Sequence, residues 1–282
     1  MRGVAVATLV PVLLAWSVST YADDAVPNNP GLQSSVYLAL GFFHPKTTTS
    51  AQLDSATHGI GTNIDFERAL GMETQKGVPD FYARWRISDR WRFDAGYFEL
   101  NRSGDKVIDR EIQWGDQTYQ VGAELKSKFD FSDFRMSGGY SLFRRPDKDV
   151  GVGFGFHVAT YNTALSLAGT GNLVGTVSSS EAKRVLAPLP VLTAYGNFAL
   201  TDRWAVNVRV DRFALSYNGN SGNITGSAID LRYQPFRHVG FGFAYRSLFL
   251  DATIARSAST VAFGQTFQGP LAYLSASFGR AR

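Results

Sequence analysis

Histidine is the first side chain to check for acid–base or metal chemistry near neutral pH. This 282-residue sequence has four: His44, His58, His157 and His238. Their spacing suits no zinc site, and there is no cysteine to supply a thiolate ligand or a thiol nucleophile. His58 stands near Asp54 and Asp65, the residue types of an acid–base pair, although solvated loop residues are the plainer reading. Gly59 to Met72 reads GIGTNIDFERALGM. No Lys-Ser/Thr follows its two early glycines, so a folded loop is expected there rather than a phosphate cradle. What recurs in this chain is arginine and aspartate alternating with aromatic and aliphatic residues.

That alternation is clearest from Pro79 to Leu100, PDFYARWRISDRWRFDAGYFEL. Phe81, Ala83, Trp85 and Ile87 share one face of an extended chain; Asp80, Tyr82, Arg84, Arg86 and Ser88 share the other. After Ser88-Asp89-Arg90, Trp91, Phe93, Ala95 and Tyr97 oppose Arg92, Asp94 and Gly96. A period of two predicts a β-hairpin with one apolar and one charged face. Trp85 and Trp91, close to the turn, suit a bilayer interface. Leu192 to Val210 repeats the pattern, and Thr201-Asp202-Arg203-Trp204 echoes Ser88-Asp89-Arg90-Trp91. Two hairpins of a soluble sandwich are the alternative.

The N-terminus reads as a secretory signal peptide over residues 1–22: Arg2, then an apolar run from Val4 to Ser19, then small residues before a cut after Ala22. Residues 23–34 are polar with two prolines and are expected to be a flexible periplasmic lead-in. Residues 35–279 would form one β domain. Past the signal, no stretch of 18 residues is apolar enough for a membrane helix. The net charge of +4 has no clustered basic footprint, so no nucleic-acid partner is expected. Alternating strands in a secreted chain with 28 Gly, 21 Phe, 12 Tyr and 5 Trp predict a transmembrane barrel, because lipid cannot satisfy an open strand edge.

The expected fold is all-β: an antiparallel up-and-down barrel of ten strands, with eight or twelve as alternatives. The strands are read near 35–43, 79–88, 91–100, 134–142, 149–158, 192–200, 204–211, 229–233, 239–246 and 269–278. Long polar stretches at 44–78, 102–122, 169–187 and 255–268, with a turn-rich 218–223, are read as outer connections; 112–121 has the makings of a small hairpin of its own. Both termini would then be periplasmic. The apolar phase slips at Phe98 and Leu100, Phe213 and Leu215, and Leu248 and Leu250. We read this as strands running past the membrane into an extracellular wall, with bulges as the alternative.

In this register the inward residues are Asp80, Arg84, Arg86, Arg92, Asp94, Arg135, His157, Arg209, Asp211, Asp230, Arg232 and Arg246, seven arginines against four aspartates. They could line a narrow pore that favours anions. They could equally pair and fill a small barrel, with inward glycines making room for the arginines. A third use of that glycine-rich face would be a pocket for an acyl chain or small ligand beside His157.

The chain resembles the single-chain outer-membrane β-barrel proteins of Gram-negative bacteria. The last strand carries the most specific likeness: Ala272, Leu274, Ala276 and Phe278 match the alternating apolar pattern ending in Phe, although Gly279 to Arg282 extend beyond it. The resemblance implies that these four residues are read by the barrel-assembly machinery, and that outer-membrane lipid and lipopolysaccharide surround the protein. It implies no cofactor. The expected function is a non-enzymatic barrel, either a narrow passive channel leaning toward anions or a structural and surface protein. The rival readings are a protease or lipid hydrolase with His and Asp at the rim, and a barrel whose outer loops bind ligands or host molecules. Oligomeric state is not readable from the sequence.

Overall fold

The computed structural model describes residues 26–55, 59–107, 109, 111–114, 117–119, 121–122, 124–168, 183–255 and 259–279; the expected signal peptide and His58 lie outside them. Fourteen strands are present among these residues: β1 Val36–Phe43, β2 Lys46–Ser55, β3 Ile64–Asp65, β4 Val78–Arg86, β5 Trp91–Val107, β6 Ile112–Trp114, β7 Gln117–Tyr119, β8 Glu124–Arg145, β9 Lys148–Ala168, β10 Lys183–Ala199, β11 Trp204–Tyr217, β12 Asn220–Tyr233, β13 Val239–Ala255 and β14 Ser259–Phe278. Ten of them form the barrel in the order β1-β4-β5-β8-β9-β10-β11-β12-β13-β14, and β14 pairs back onto β1. All of these pairings are antiparallel. Closure leaves no unpaired edge, the condition lipid imposes on a strand-built membrane protein.

The period of two sorts the side chains. Along β1, Leu40 is 65% exposed while Tyr37 is 1% exposed. Trp85, Phe93, Phe154, Leu192, Ile229, Phe243 and Leu274 are likewise exposed on the outside. In water such a belt would be a large apolar patch, so a hydrocarbon surround is its natural partner. Trp85, Trp91 and Trp204 gather toward one end, where Trp91 meets Tyr140 and Trp204 meets Tyr233. This near end carries the four short turns at 87–90, 146–147, 200–203 and 234–238 and both ends of the described chain. One bulge interrupts the β8–β9 register between Ser141 and Phe143, leaving both Leu142 and Phe143 exposed.

The far end differs from the expectation in several places: β2 and the start of β10 lie within 44–78 and 169–187, both expected to be outer connections. Residues 259–268 are strand rather than loop, paired with β13 on one side and β2 on the other. The connection expected at 218–223 shrinks to Asn218-Gly219, both at positive φ, as a two-residue hairpin turn requires. Residues 102–107 continue β5 instead of opening a loop. The small hairpin does form, as β6 paired with β7.

At the three expected phase slips the inward side continues, and the inward side itself becomes apolar. Phe98, Leu100, Leu248 and Leu250 are buried on the same face as Asp94 and Arg246, with no register break in β5–β8 or β12–β13. Phe213 packs against the same core, whereas Leu215, farther along, is exposed. The strands therefore run on, and around an inner aromatic core. Phe131 stacks on Phe267 at 4.5 Å, and Phe98, Phe129, Tyr161 and Phe263 pack around them. Ile64, Phe66, Leu70 and Met72 join from the segment that folds back after β2.

Candidate functional site

Arginine and aspartate on the inward face of the near half sit in a closed space, so desolvation demands partners for each. Asp94 accepts from Arg92 Nε at 2.9 Å and from the Tyr82 hydroxyl. Asp149 takes Arg86 and, at 3.4 Å, Arg92. Asp211 takes Arg209 at 2.9 Å and lies 3.6 Å from Arg135. Asp80 takes Arg246 at 2.5 Å. Asp230 accepts from the Tyr273 hydroxyl at 2.6 Å and from Arg232 at 3.4 Å. The charges expected to face inward thus meet one another in pairs, with Arg246 and Asp230 keeping 22% and 16% of their side chains exposed.

The exception in pairing is Arg84. It is 1% exposed, yet its hydrogen-bond partners are the Gly31 carbonyl and the Ser34 hydroxyl. They belong to α1, Pro30–Gln33, capped by Asn29. The lead-in expected to be flexible is, over the described residues 26–34, folded across the near mouth. Asn28 and Asn29 bond Asp202, and Gln33 bonds the Pro146 carbonyl. Two prolines and an Asn cap favour such a compact turn, but only the mouth of the barrel gives it something to bury against.

His157 faces inward and bonds Asp133 at 3.0 Å, with its Nε2 3.9 Å from Asp211 Oδ2. His44 lies at the break between β1 and β2. His238 bonds the Ser277 carbonyl at 2.9 Å and stacks on Phe278. The structure brings no two of these three histidines together, and among the described residues no cluster of three or more His, Asp and Glu could hold a metal. The inward glycines make room for tyrosines as well as arginines, Gly96 lying against Arg135 and Gly139 against both Tyr195 and Arg92. Tyr195 fills the space over Gly139 and Gly151 and supports Arg92 on its ring at 3.5 Å, and Tyr273 covers Gly242. No acyl-sized space is left beside His157; the cavity there is about 50 Å³ and a second, more central one about 60 Å³.

Sequence reasoning missed Asp133 and Asp149. Asp133 lies one step of the alternation before Arg135, outside the strand as read, whereas Asp149 is the first residue of its strand as read and shares the parity of Gly151. It also missed a second buried charge site in the far half. Arg102 bonds Glu67, the Glu73 carbonyl at 3.2 Å and Thr49 at 2.6 Å, and Glu67 accepts from the Thr49 amide at 2.8 Å. This clasp holds α2, Phe66–Ala69, and the returning chain between β2 and the far part of β5. Ala272, Leu274, Ala276 and Phe278 alternate on the outer face of β14, the strand that closes the barrel.

No protein-family model matches the sequence, and no curated protein matches it. Solved structures do. The outer membrane protease OmpT from Escherichia coli superposes with a TM-score of 0.54 at 8% identity, over 86% of this chain and 97% of that one. The outer membrane protein OprG from Pseudomonas aeruginosa gives 0.39 at 9% identity over 87% and 98%, and the P. putida toluene transporter TodX 0.30 at 12% identity over 91% and 94%. Identities this low bear on fold and not on activity, and the two lower scores add no weight. With its closed antiparallel sheet, its exposed apolar belt and its aromatic band, the chain has the fold of the single-chain outer-membrane β-barrel proteins of Gram-negative bacteria.

Proposed function

We propose that this protein is a non-enzymatic integral barrel of the outer membrane that works as a structural and surface protein, with its near end and both termini in the periplasm. One observation carries the reading: side chains occupy most of the interior, leaving cavities of only about 60 and 50 Å³. The α1 segment covers the near mouth, paired charges fill the near half, and an aromatic core fills the far half. A passage for anions would need guanidinium groups facing water, whereas the side chains of Arg86 and Arg92 are 0% and 3% exposed. His157 and Asp133 border a cavity of only about 50 Å³, which speaks against an enzyme built on them.

The far half supports a surface role. β8 and β9 run for 22 and 21 residues, about twice what a tilted strand needs to cross a bilayer. Their excess length would project beyond the membrane as a wall among lipopolysaccharide, with β6 and β7 on the connection above. Delivery by the barrel-assembly machinery through the β14 pattern is part of the same proposal.

The test is conductance of the refolded protein in a planar bilayer. We expect no steady current from protein verified as folded by heat-modifiable gel mobility. A steady anion-selective current, reduced by replacing Arg84, Arg86 and Arg209 with Ser, would sink the filled-barrel reading and restore the channel.

A further inference from the structure

The central cavity of about 60 Å³ is bounded by the side chains of nine barrel strands. Five of its lining residues bring polar atoms that have no hydrogen-bond partner: the Tyr37 hydroxyl, Arg135 Nε, both side-chain atoms of Asn207, Arg209 Nη1 and Arg232 Nη1. Tyr37 is 1%, Asn207 7% and Arg232 8% exposed, so bulk water does not reach them readily. Arg209 Nη1 stands 3.9 Å from Asp94, too far for a hydrogen bond. The two carboxylates on the wall are already engaged, Asp80 by Arg246 and Asp230 by Tyr273 and Arg232.

These unmet groups have a sign. Five are donors, and the one dedicated acceptor among them is Asn207 Oδ1. The surrounding charge has the same sign. With Asp133 and Asp149 added, six inward aspartates face seven inward arginines, and Arg84 has no carboxylate partner. A buried excess positive charge is costly unless something neutralises it. Arg84 and Arg232 both lie over the ring of Tyr37, at 5.3 and 4.2 Å, so the excess sits beside the cavity.

We propose that this cavity is a binding site for one small monovalent inorganic anion of halide size, held by Arg209, Arg232, Asn207 and Tyr37. Its volume admits about four to six water-sized bodies, a halide with a few waters, and is too small for a sugar or a nucleotide. A halide accepts from these four donors at once, which a single water, with two lone pairs, does not. The inference goes beyond the structural role proposed above and does not depend on it.

The test uses the full mature chain refolded in detergent with sodium chloride, sodium bromide or sodium gluconate at matched ionic strength. Gluconate is too large for the cavity. We expect melting about 2–4 °C higher in chloride or bromide than in gluconate. Crystals grown in bromide should show an anomalous peak between Arg209 and Arg232. Asn207→Asp places a tethered carboxylate in the cavity, so it should fold without halide and lose the chloride–gluconate difference. Should that variant fail to fold, Tyr37→Phe, which removes one donor, should still reduce the difference in the same assay. Bromide found at surface positions only, water alone in the cavity, or an equal salt response in native protein and variants would overturn the site.

Discussion

Asp149 holds two guanidinium groups, Arg86 and Arg92, inside a space that excludes bulk water. Burying those charges costs several kcal/mol per ion, and attraction within the cluster offsets it. Removing the carboxylate alone therefore leaves Arg86 an unbalanced buried cation, while Arg92 keeps Asp94. Asp149→Asn should destabilise the barrel by about 3–5 kcal/mol, read as a lower urea midpoint for unfolding from micelles. Gly151 teaches the complementary lesson. A Cβ there would press on the Tyr140 carbonyl and on the Tyr195 ring, which supports Arg92. Gly151→Ala should cost about 1–3 kcal/mol by overpacking, whereas Gly222→Ala, which meets nothing within 4 Å, should cost far less. Equal effects at the two glycines would contradict the packing described.

At the scale of elements, the far half is less regular than the near half. β4 pairs with β5 only as far as Asp80 and Phe98, so β5 runs on beyond its neighbour. The returning segment 64–77 fills that gap, tied by Arg102 to Glu67 and Thr49. Gly104 packs against the Leu70 carbonyl and Gly71 against that of Asp105, close approaches that a side chain would block. Arg102→Ala removes the clasp but no barrel pairing. The expected outcome is protease cleavage within 64–77 at rates well above the native protein, with heat-modifiable gel mobility of the barrel retained. Loss of the barrel itself would mean that the clasp is part of the fold and not an attachment to it.

At the scale of the whole molecule, the outer surface and the interior answer to different solvents. The belt places Trp85, Trp91 and Trp204 at the near-end margin of the apolar zone. Lipids brominated near the headgroup should quench the fluorescence of these three more than lipids brominated at the chain ends. The reverse order would move the belt relative to the bilayer. The interior, in contrast, repeats the logic of a soluble core: a charged network in one half, an aromatic one in the other, and a cap at the near mouth.

The sequence by itself determined the alternation, and with it the ten-stranded order, the closing strand and the side on which the twelve inward residues it singled out stand. A period of two is a local property, because each side chain's face depends only on its own parity. The sequence also determined that the four short turns share an end, since up-and-down order follows from strand count. Only the tertiary structure decided what the faces meet. The change of the inward face from charged to apolar at Phe98 and Leu100 looked like a slip of phase, because parity alone cannot reveal that the far lumen is dry. The folding of residues 30–33 over the mouth and the Arg102–Glu67 clasp join positions 53 and 35 residues apart. No local pattern encodes such pairs; they exist because closing the sheet brings distant residues into one desolvated space where each polar group must find a partner.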